Sequence, residues 1–471
     1  MPSLFSAQKH IGKWVRYPTS HLNKITTVLL LSSVSIGVSA ATIANGLEET
    51  LSAAMQNDPM LKKAYYQYQA QQQEDEISFS NLLPDIRLNA AYQYEDSDNI
   101  YTDVNSSSYD PDLERSGGEL DDYYWKLSLR QPLFDYSSYK GYQRDKALIK
   151  ESEYRYQRAE QELIYRVADQ YLSVLLASQK VYLNQEKLEA LELKRTQELR
   201  TQELGIGNKL NVLRVTSSRD LAKSDLLRSQ SELKDAKTLL QNITGHTVYI
   251  PQKWVQNGHS LIPNFISGKE SDWLADIYSN LSVKEAQSSI EKQEHNVAAR
   301  KAAHLPTVSF NLSYYDRVSD DDQRTRQDLV ASVELNVPIY SGGRTQANIK
   351  KAEAEYQASQ IDLDYLVSDK TQQIQLAYNR LLSFKDRLNA LVESEKSSAA
   401  LLEAAERQQS LSLGDQVAVL EARTQLVDIR LQFAQTLNDY LLSDLSLLLE
   451  TGKLDNSRLA TYDNLFEMAA K

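Results

Sequence analysis

Two pairs of long stretches without glycine or proline run through this chain: residues 142–204 with 208–244, and residues 344–413 with 415–451. Glycine and proline are the residues a helix interior tolerates least, so their exclusion over such spans points to uninterrupted α-helix. At 1.5 Å per residue the longer members reach roughly 95–105 Å and the shorter about 55 Å, dimensions of a fibrous assembly and not of one globular core. The breaks fall at Gly205 and Gly207 in the first pair and at Gly414 in the second. Glycine adopts the left-handed backbone that ends a helix without steric cost, so each break reads as the turn of a helical hairpin. The returning helices carry a seven-residue apolar spacing. In the first, Leu226, Leu233 and Leu240 recur with Ala222, Ser229, Ala236 and Ile243; in the second, Leu420, Val427, Ala434, Leu441 and Leu448 recur with Leu431 and Leu445. That spacing is the mark of coiled packing, and the Ala, Ser, Gln, Lys and Glu around it keep the stripe narrow. Such helices suit a wall one helix thick, wet on both sides.

The two hairpins belong to an internal duplication. Pro132 matches Pro338 at an offset of 206, Gly207 matches Gly414 and the "TG" at 244–245 matches that at 451–452 at 207, and the "LP" at 83–84 matches that at 305–306 at 222. A fixed period of this kind means one structural plan used twice. The change from 222 to about 206 puts a longer loop in the first copy, between Pro84 and Pro132.

Each copy also holds two segments that alternate with a period of two, the signature of a strand with one apolar face. In residues 86–94 Ile86, Leu88, Ala90, Tyr92 and Tyr94 oppose Arg87, Asn89, Ala91 and Gln93, and in 125–133 Trp125, Leu127 and Leu129 oppose Lys126, Ser128 and Arg130. Val308, Phe310, Leu312 and Tyr314 alternate with Ser309, Asn311 and Ser313, and Val333, Leu335, Val337 and Ile339 with Ser332, Glu334 and Asn336. The segments have membrane-crossing length and aromatic edges: Tyr94, Tyr123, Tyr124 and Trp125 toward one end, Phe134, Tyr136 and Tyr340 toward the other. Residues 95–122 hold ten acids and one arginine, suited to a solvated external loop. Four strands cannot close a membrane barrel, which needs about eight, so closure demands several chains; three would supply about twelve.

Composition narrows the alternatives. With 41% hydrophobic residues and a mean hydropathy of -0.50, the chain is no polytopic helical membrane protein. Its one sustained apolar run, residues 25–38, follows Lys9, Lys13, Arg16 and Lys24 and precedes Ser39, Ala40 and Ala41, the order of a secretory signal peptide cut after Ala40. Removing residues 1–40 takes away four positive charges and no negative ones, so the formal charge falls from -12 to -16 and nucleic acid is excluded as a partner. There is no cysteine, hence no disulfide, thiolate metal site, cysteine nucleophile or lipid-bearing cysteine. The closest histidines in the mature helices, His295 and His304, are nine residues apart and off a common helix face, so no metal site is expected. The "SGGR" at 341–344 lacks the lysine and spacing of a phosphate loop, and no cofactor or enzymatic site is expected.

The signal segment, the two repeats of strand, strand, long helix, glycine turn and shorter helix, and the motifs "QPLFD" at 131–135 and "VPIYSGG" at 337–343 together resemble the TolC family of outer-membrane efflux ducts. The resemblance covers the mature chain from "NDPML" at 57–61 to "LLETG" at 448–452. It implies a mixed α and transmembrane β fold: a long antiparallel coiled-coil helical barrel joined to a β-barrel completed by trimerisation. The expected division is a signal peptide at 1–40, a first repeat at 41–245, an equatorial linker at 246–280, a second repeat at 281–452 and a C-terminal equatorial segment at 453–471. Strands are expected near 85–95, 123–134, 307–315 and 329–340, and helices near 137–204, 208–244, 344–413 and 415–451.

The resemblance further implies a homotrimer in the outer membrane of a Gram-negative bacterium, spanning into the periplasm and docking on a periplasmic adaptor and an inner-membrane pump. Leu204, Gly205 and Ile206, with Leu413, Gly414 and Asp415, take the positions of the adaptor-docking tips. Two pore-facing aspartates common in the family align with Ala418 and Glu421, and the corresponding position of the first copy is Asn211. Only Glu421 keeps a carboxylate, one methylene longer; the second turn is shorter by two residues, and Leu411 stands where a gating tyrosine often occurs. Three Glu421 carboxylates near one axis would attract cations and be blocked by divalents; as a lone helix residue Glu421 would simply be solvated, and Asp415 would simply cap the following helix. A periplasmic adaptor or structural coiled coil without a pore also explains the hairpins, but not four amphipathic strands with aromatic edges.

Overall fold

The structure, a computed structural model, describes residues 46–97, 118–251, 263–265, 268–320, 324–411 and 416–469. The expected signal segment, most of the acidic loop and the tip residues Leu413, Gly414 and Asp415 lie outside the described residues. In chain order the elements are α1 (Leu47–Asn57), α2 (Pro59–Ser80), β1 (Asp85–Ser97), β2 (Gly118–Phe134), α3 (Tyr136–Glu203) and α4 (Lys209–Thr244). There follow α5 (Glu270–Leu274), a 3-10 turn (Ile277–Ser279), α6 (Leu281–Ala302), β3 (Thr307–Ser319), β4 (Arg326–Asn336), α7 (Arg344–Ser410), α8 (Gln416–Glu450) and α9 (Asn456–Ala469).

Local chemistry sets the ends. Asp135 starts the 68-residue α3 by accepting a hydrogen bond from the Ser138 amide at 2.9 Å, satisfying one of the free N–H groups of a first turn. Asn208 does the same for α4 through the Leu210 amide. Between these helices Gly205 holds φ 77°, and a side chain at Gly207 would run into the backbone of Gln202, 2.5 Å from its nitrogen. Both glycines are thus required by the turn itself.

The strands differ from their expected limits. β1 and β3 run on to Ser97 and Ser319, while β2 and β4 begin at Gly118 and Arg326. Most of the added residues are charged or polar, and the two apolar ones, Leu120 and Val318, each stand alone in the added stretch of their strand, so no apolar alternation registers them; their backbones pair nonetheless: Glu95 with Leu120, Asp96 with Glu119, Ser97 with Gly118. Tyr123, Tyr124 and Trp125 consequently sit inside β2 and not at its edge. β4 ends at Asn336 and not near 340, because Pro338 has no N–H to donate to a ladder. α2 and α6 are two further helices that the expected elements did not include.

The main core lies where the hairpins meet the terminal helices. Leu163, Val167, Tyr171 and Leu172 of α3 pack with Phe433, Leu437, Tyr440 and Leu441 of α8, with Leu47 and Leu51 of α1, and with Leu459, Tyr462 and Phe466 of α9. Each such side chain, fully buried, contributes about 1.5–3 kcal/mol. The segment 453–471, expected only as an equatorial segment with no assigned element, contains α9, a helix whose aromatics Tyr462 and Phe466 are fully enclosed. Asp463 of α9 accepts from the Leu47 and Glu48 amides at 2.8 and 2.9 Å, capping α1 from the other end of the chain. Arg458 forms a forked pair with Asp444 at 2.6 and 2.9 Å, and Tyr462 donates to the same carboxylate at 2.7 Å. Burial, and then the neighbouring Asp444 charge, push the Tyr462 phenol well above its ordinary range.

Candidate channel wall and tip

The four strands form one antiparallel sheet in the order β1-β2-β3-β4. Its register decides what each face presents, because opposed residues share a face. Leu88 stands opposite Leu127, Tyr92 opposite Tyr123, Leu129 opposite Leu312, Leu127 opposite Tyr314, Phe310 opposite Val333 and Val308 opposite Leu335. One face is therefore apolar across all four strands, with ring pairs Tyr92–Tyr123 and Trp125–Tyr314 at 5.0 Å. On the other face Asn89 meets Lys126, Ser128 meets Ser313, and Ser309 meets Glu334. Within a single chain the apolar face is uncovered: Leu88 is 67% exposed and Leu329 71%. A sheet with one apolar and one polar face, and open edges at β1 and β4, is a barrel fragment whose apolar side suits lipid and whose polar side suits water.

Toward the polar face at the loop end, Asp122 of β2 is fully buried and pairs with Arg317 of β3, while Arg324 reaches Glu95 of β1 at 2.8 Å. These charges tie three strands together on the side opposite the apolar band.

At the far end of the hairpins, Leu204 and Ile206 are 68% and 79% exposed around Gly205. With Leu210 and Leu213 also exposed on the adjoining turns of α4, these side chains make an apolar surface at the turn that a partner could cover. Asn211 lies half-buried in the first turn of α4; Ala418 and Glu421 are exposed near the start of α8, and Leu411, also exposed, caps α7. Asn211 and Ala418 are related by the 207-residue offset of the repeat.

Two kinds of contact join the hairpins: Lys187 of α3 pairs with Asp428 of α8 at 2.9 Å, which no sequence spacing announces, and Leu420 of α8, a heptad position, packs on the Leu188, Leu191, Ala222 and Leu226 cluster of the first hairpin. Within the second hairpin Arg423 and Arg430 of α8 pair with Glu406 and Glu395 of α7. Between α3 and the second hairpin remains a cavity of about 380 Å³, lined among others by Ala190, Leu193, Leu402 and Leu426.

The family model described as "Outer membrane efflux protein" matches residues 50–246 and 277–453, the two repeats. The chain belongs to the outer membrane efflux protein family. Like the family's named members, this efflux protein is an outer-membrane protein, and its family is one of transport channels. It is 24% identical to the proteases secretion protein PrtF of Dickeya chrysanthemi over 94% of its own length and 95% of the relative's. To the outer membrane protein TolC of Vibrio cholerae it is 25% identical over 94% and 99%. Its fold follows that of the Campylobacter jejuni CmeC outer membrane channel with a TM-score of 0.73 at 15% identity, covering 88% of this chain and 89% of that one. The helices and four-stranded sheet of the efflux protein are thus one share of a channel wall, and the open sheet edges close only against further copies.

Proposed function

We propose that three copies of this chain form an exit duct for drug efflux or type I protein secretion, with the sheets completing an outer-membrane barrel and the hairpins continuing it into the periplasm. The observation that carries this reading is the register: it assembles one apolar and one polar face from four strands that cannot close alone. Similarity to a protease secretion protein and to TolC along nearly their whole lengths supports the cargo classes.

In this reading the tips, Leu204, Gly205 and Ile206 with Leu413, Gly414 and Asp415, dock a periplasmic adaptor that bridges to an inner-membrane pump. The exposure of Leu204 and Ile206 supports that role for the first tip. Three Glu421 carboxylates, flanked by Ala418 and Asn211, line the constriction. Like charges gathered on an axis attract cations and bind divalents.

Single-channel recording of the purified protein in a planar bilayer tests both parts. Discrete cation-selective openings, blocked by added divalent cation in the parent and less so in Glu421→Gln, are expected. A silent bilayer, with protein recovered soluble and monomeric, overturns the duct; equal block in both proteins overturns the assignment of Glu421.

A further inference from the structure

The internal repeat makes the interior of one subunit a template for the contact between subunits. α2 and α6 are both 22 residues long and related by 222 at each end, and their caps Asp58 and Asn280 are equivalent. β1 and β3 share the same offset at both ends. Along α3 and α7 the buried Asn184, Leu191 and Glu198 match Leu391, Ser398 and Ala405 at 207. Within the chain α6, the short helix of the second repeat, packs against α3, the long helix of the first. The pseudo-equivalent contact would join α2 to α7, and in a closed ring that α7 belongs to the next subunit.

Burial reports the missing partner. Ser288 and Ala299 of α6 are buried, 3% and 8% exposed, whereas their counterparts on α2, Tyr66 and Ile77, are 66% and 56% exposed. Ala147 and Glu151 of α3 are buried, whereas their counterparts on α7, Ala354 and Ala358, are exposed. Ala347, Ala354, Ala358, Ile361 and Tyr365 continue one uncovered stripe at steps of seven, four, three and four residues along α7, the pattern of an unfilled helix seam.

The charges carry the inference further. The α3–α6 contact is fastened by Arg155 and Arg158 on Glu285, at 2.8 and 3.2 Å, and by Lys292 on Glu151 at 2.6 Å. Mapped by the two offsets, Glu285 becomes Lys63 and Arg155 becomes Asp362, a pair of reversed sign; Lys292 and Glu151 become Ala70 and Ala358, two small residues that permit close approach. Neither Lys63 nor Asp362 has an ion-pair partner among the described residues, and both are exposed.

We propose that α2 of one subunit packs along α7 of the next, with Lys63 paired to the neighbour's Asp362 and Ala70 apposed to its Ala358, and that the sign reversal sorts this seam from the α3–α6 seam. A swapped pairing would set Lys63 against Arg155 and Glu285 against Asp362, so each wrong contact is repulsive while each right one is attractive. The proposal rests on the ring of copies described above.

The chain has no cysteine, so introduced thiols are its only ones. Ala70→Cys/Ala358→Cys is treated in detergent with a short bis-maleimide cross-linker and run on a denaturing gel, with the native mass measured on the same sample. A covalent trimer is expected from the double variant and none from either single variant. Alongside it, Lys63→Glu should lower the heat-resistant trimer fraction severalfold, and Lys63→Glu/Asp362→Lys should restore it. Protein trimeric by native mass but uncross-linked, with a charge swap that fails to rescue, overturns the seam alone. Protein monomeric by native mass overturns the ring and the seam with it.

Discussion

Lys187 and Asp428 stand 2.9 Å apart although 241 positions separate them, and they join the first helical hairpin to the second near its tip. Lys187 is mostly buried, 16% exposed, while Asp428 is about half exposed, so water screens the pair only in part. A pair of this kind is worth about 1 kcal/mol. If opening separates the hairpins, Asp428→Asn is expected to shift the closed-to-open balance toward open by about fivefold for each subunit's lost pair, and the exchange Lys187→Asp/Asp428→Lys to recover part of it. Open probability in single-channel records checks this; unchanged records in Asp428→Asn would show that apolar packing holds the hairpins together without the pair.

The two glycines of the first turn differ in what a side chain would meet. At Gly205 only the left-handed backbone opposes substitution, and Gly205→Ala should cost about 1 kcal/mol. At Gly207 an added methyl would overlap the Gln202 backbone, which cannot move aside without unwinding the end of α3. Gly207→Ala is therefore expected to be the more damaging, with faster amide exchange across 200–210. Mass-spectrometric exchange comparing the two variants decides the order.

Tyr462 links the C-terminal helix to α8, and its phenol is held protonated by burial and by Asp444. Because its folded pKa lies above its unfolded value of about 10, the stabilisation is complete below pH 10 and declines as pH rises beyond it. Thermal unfolding between pH 8 and 11 should show an alkaline fall that is shallower in Tyr462→Phe. The variant should also lose about 1.5–3 kcal/mol at neutral pH, where a hydrogen bond to a charged group is removed.

Asp463 caps α1 with two hydrogen bonds, so Asp463→Ala should fray that helix at a cost of about 1 kcal/mol. Exchange should rise at residues 47–51 and stay unchanged in α4. Protection that stays intact at 47–51 would mean that Leu47 and Leu51, both buried, anchor the helix without the cap.

Periodicity and punctuation determined much of this protein from the sequence alone. Glycine and proline placed the hairpins, alternation placed the apolar sides of four strands, and the recurring Pro132/Pro338 and Gly207/Gly414 spacing exposed the duplication. These are local signals, written within one element or repeated at a fixed offset, and a backbone with 3.6 or two residues per turn must display them. What the tertiary structure alone decided are relationships without a fixed spacing. The register that sets Leu129 beside Leu312, the capping of α1 by Asp463, the fork of Arg458 on Asp444 and the link from Lys187 to Asp428 each join distant segments whose meeting depends on packing. The polar strand ends and the α2 and α6 helices were hidden for a related reason. Apolar letters make up a share of α2 like that of the whole chain but follow no helical period there, because the sequence does not show which helix each side will pack against.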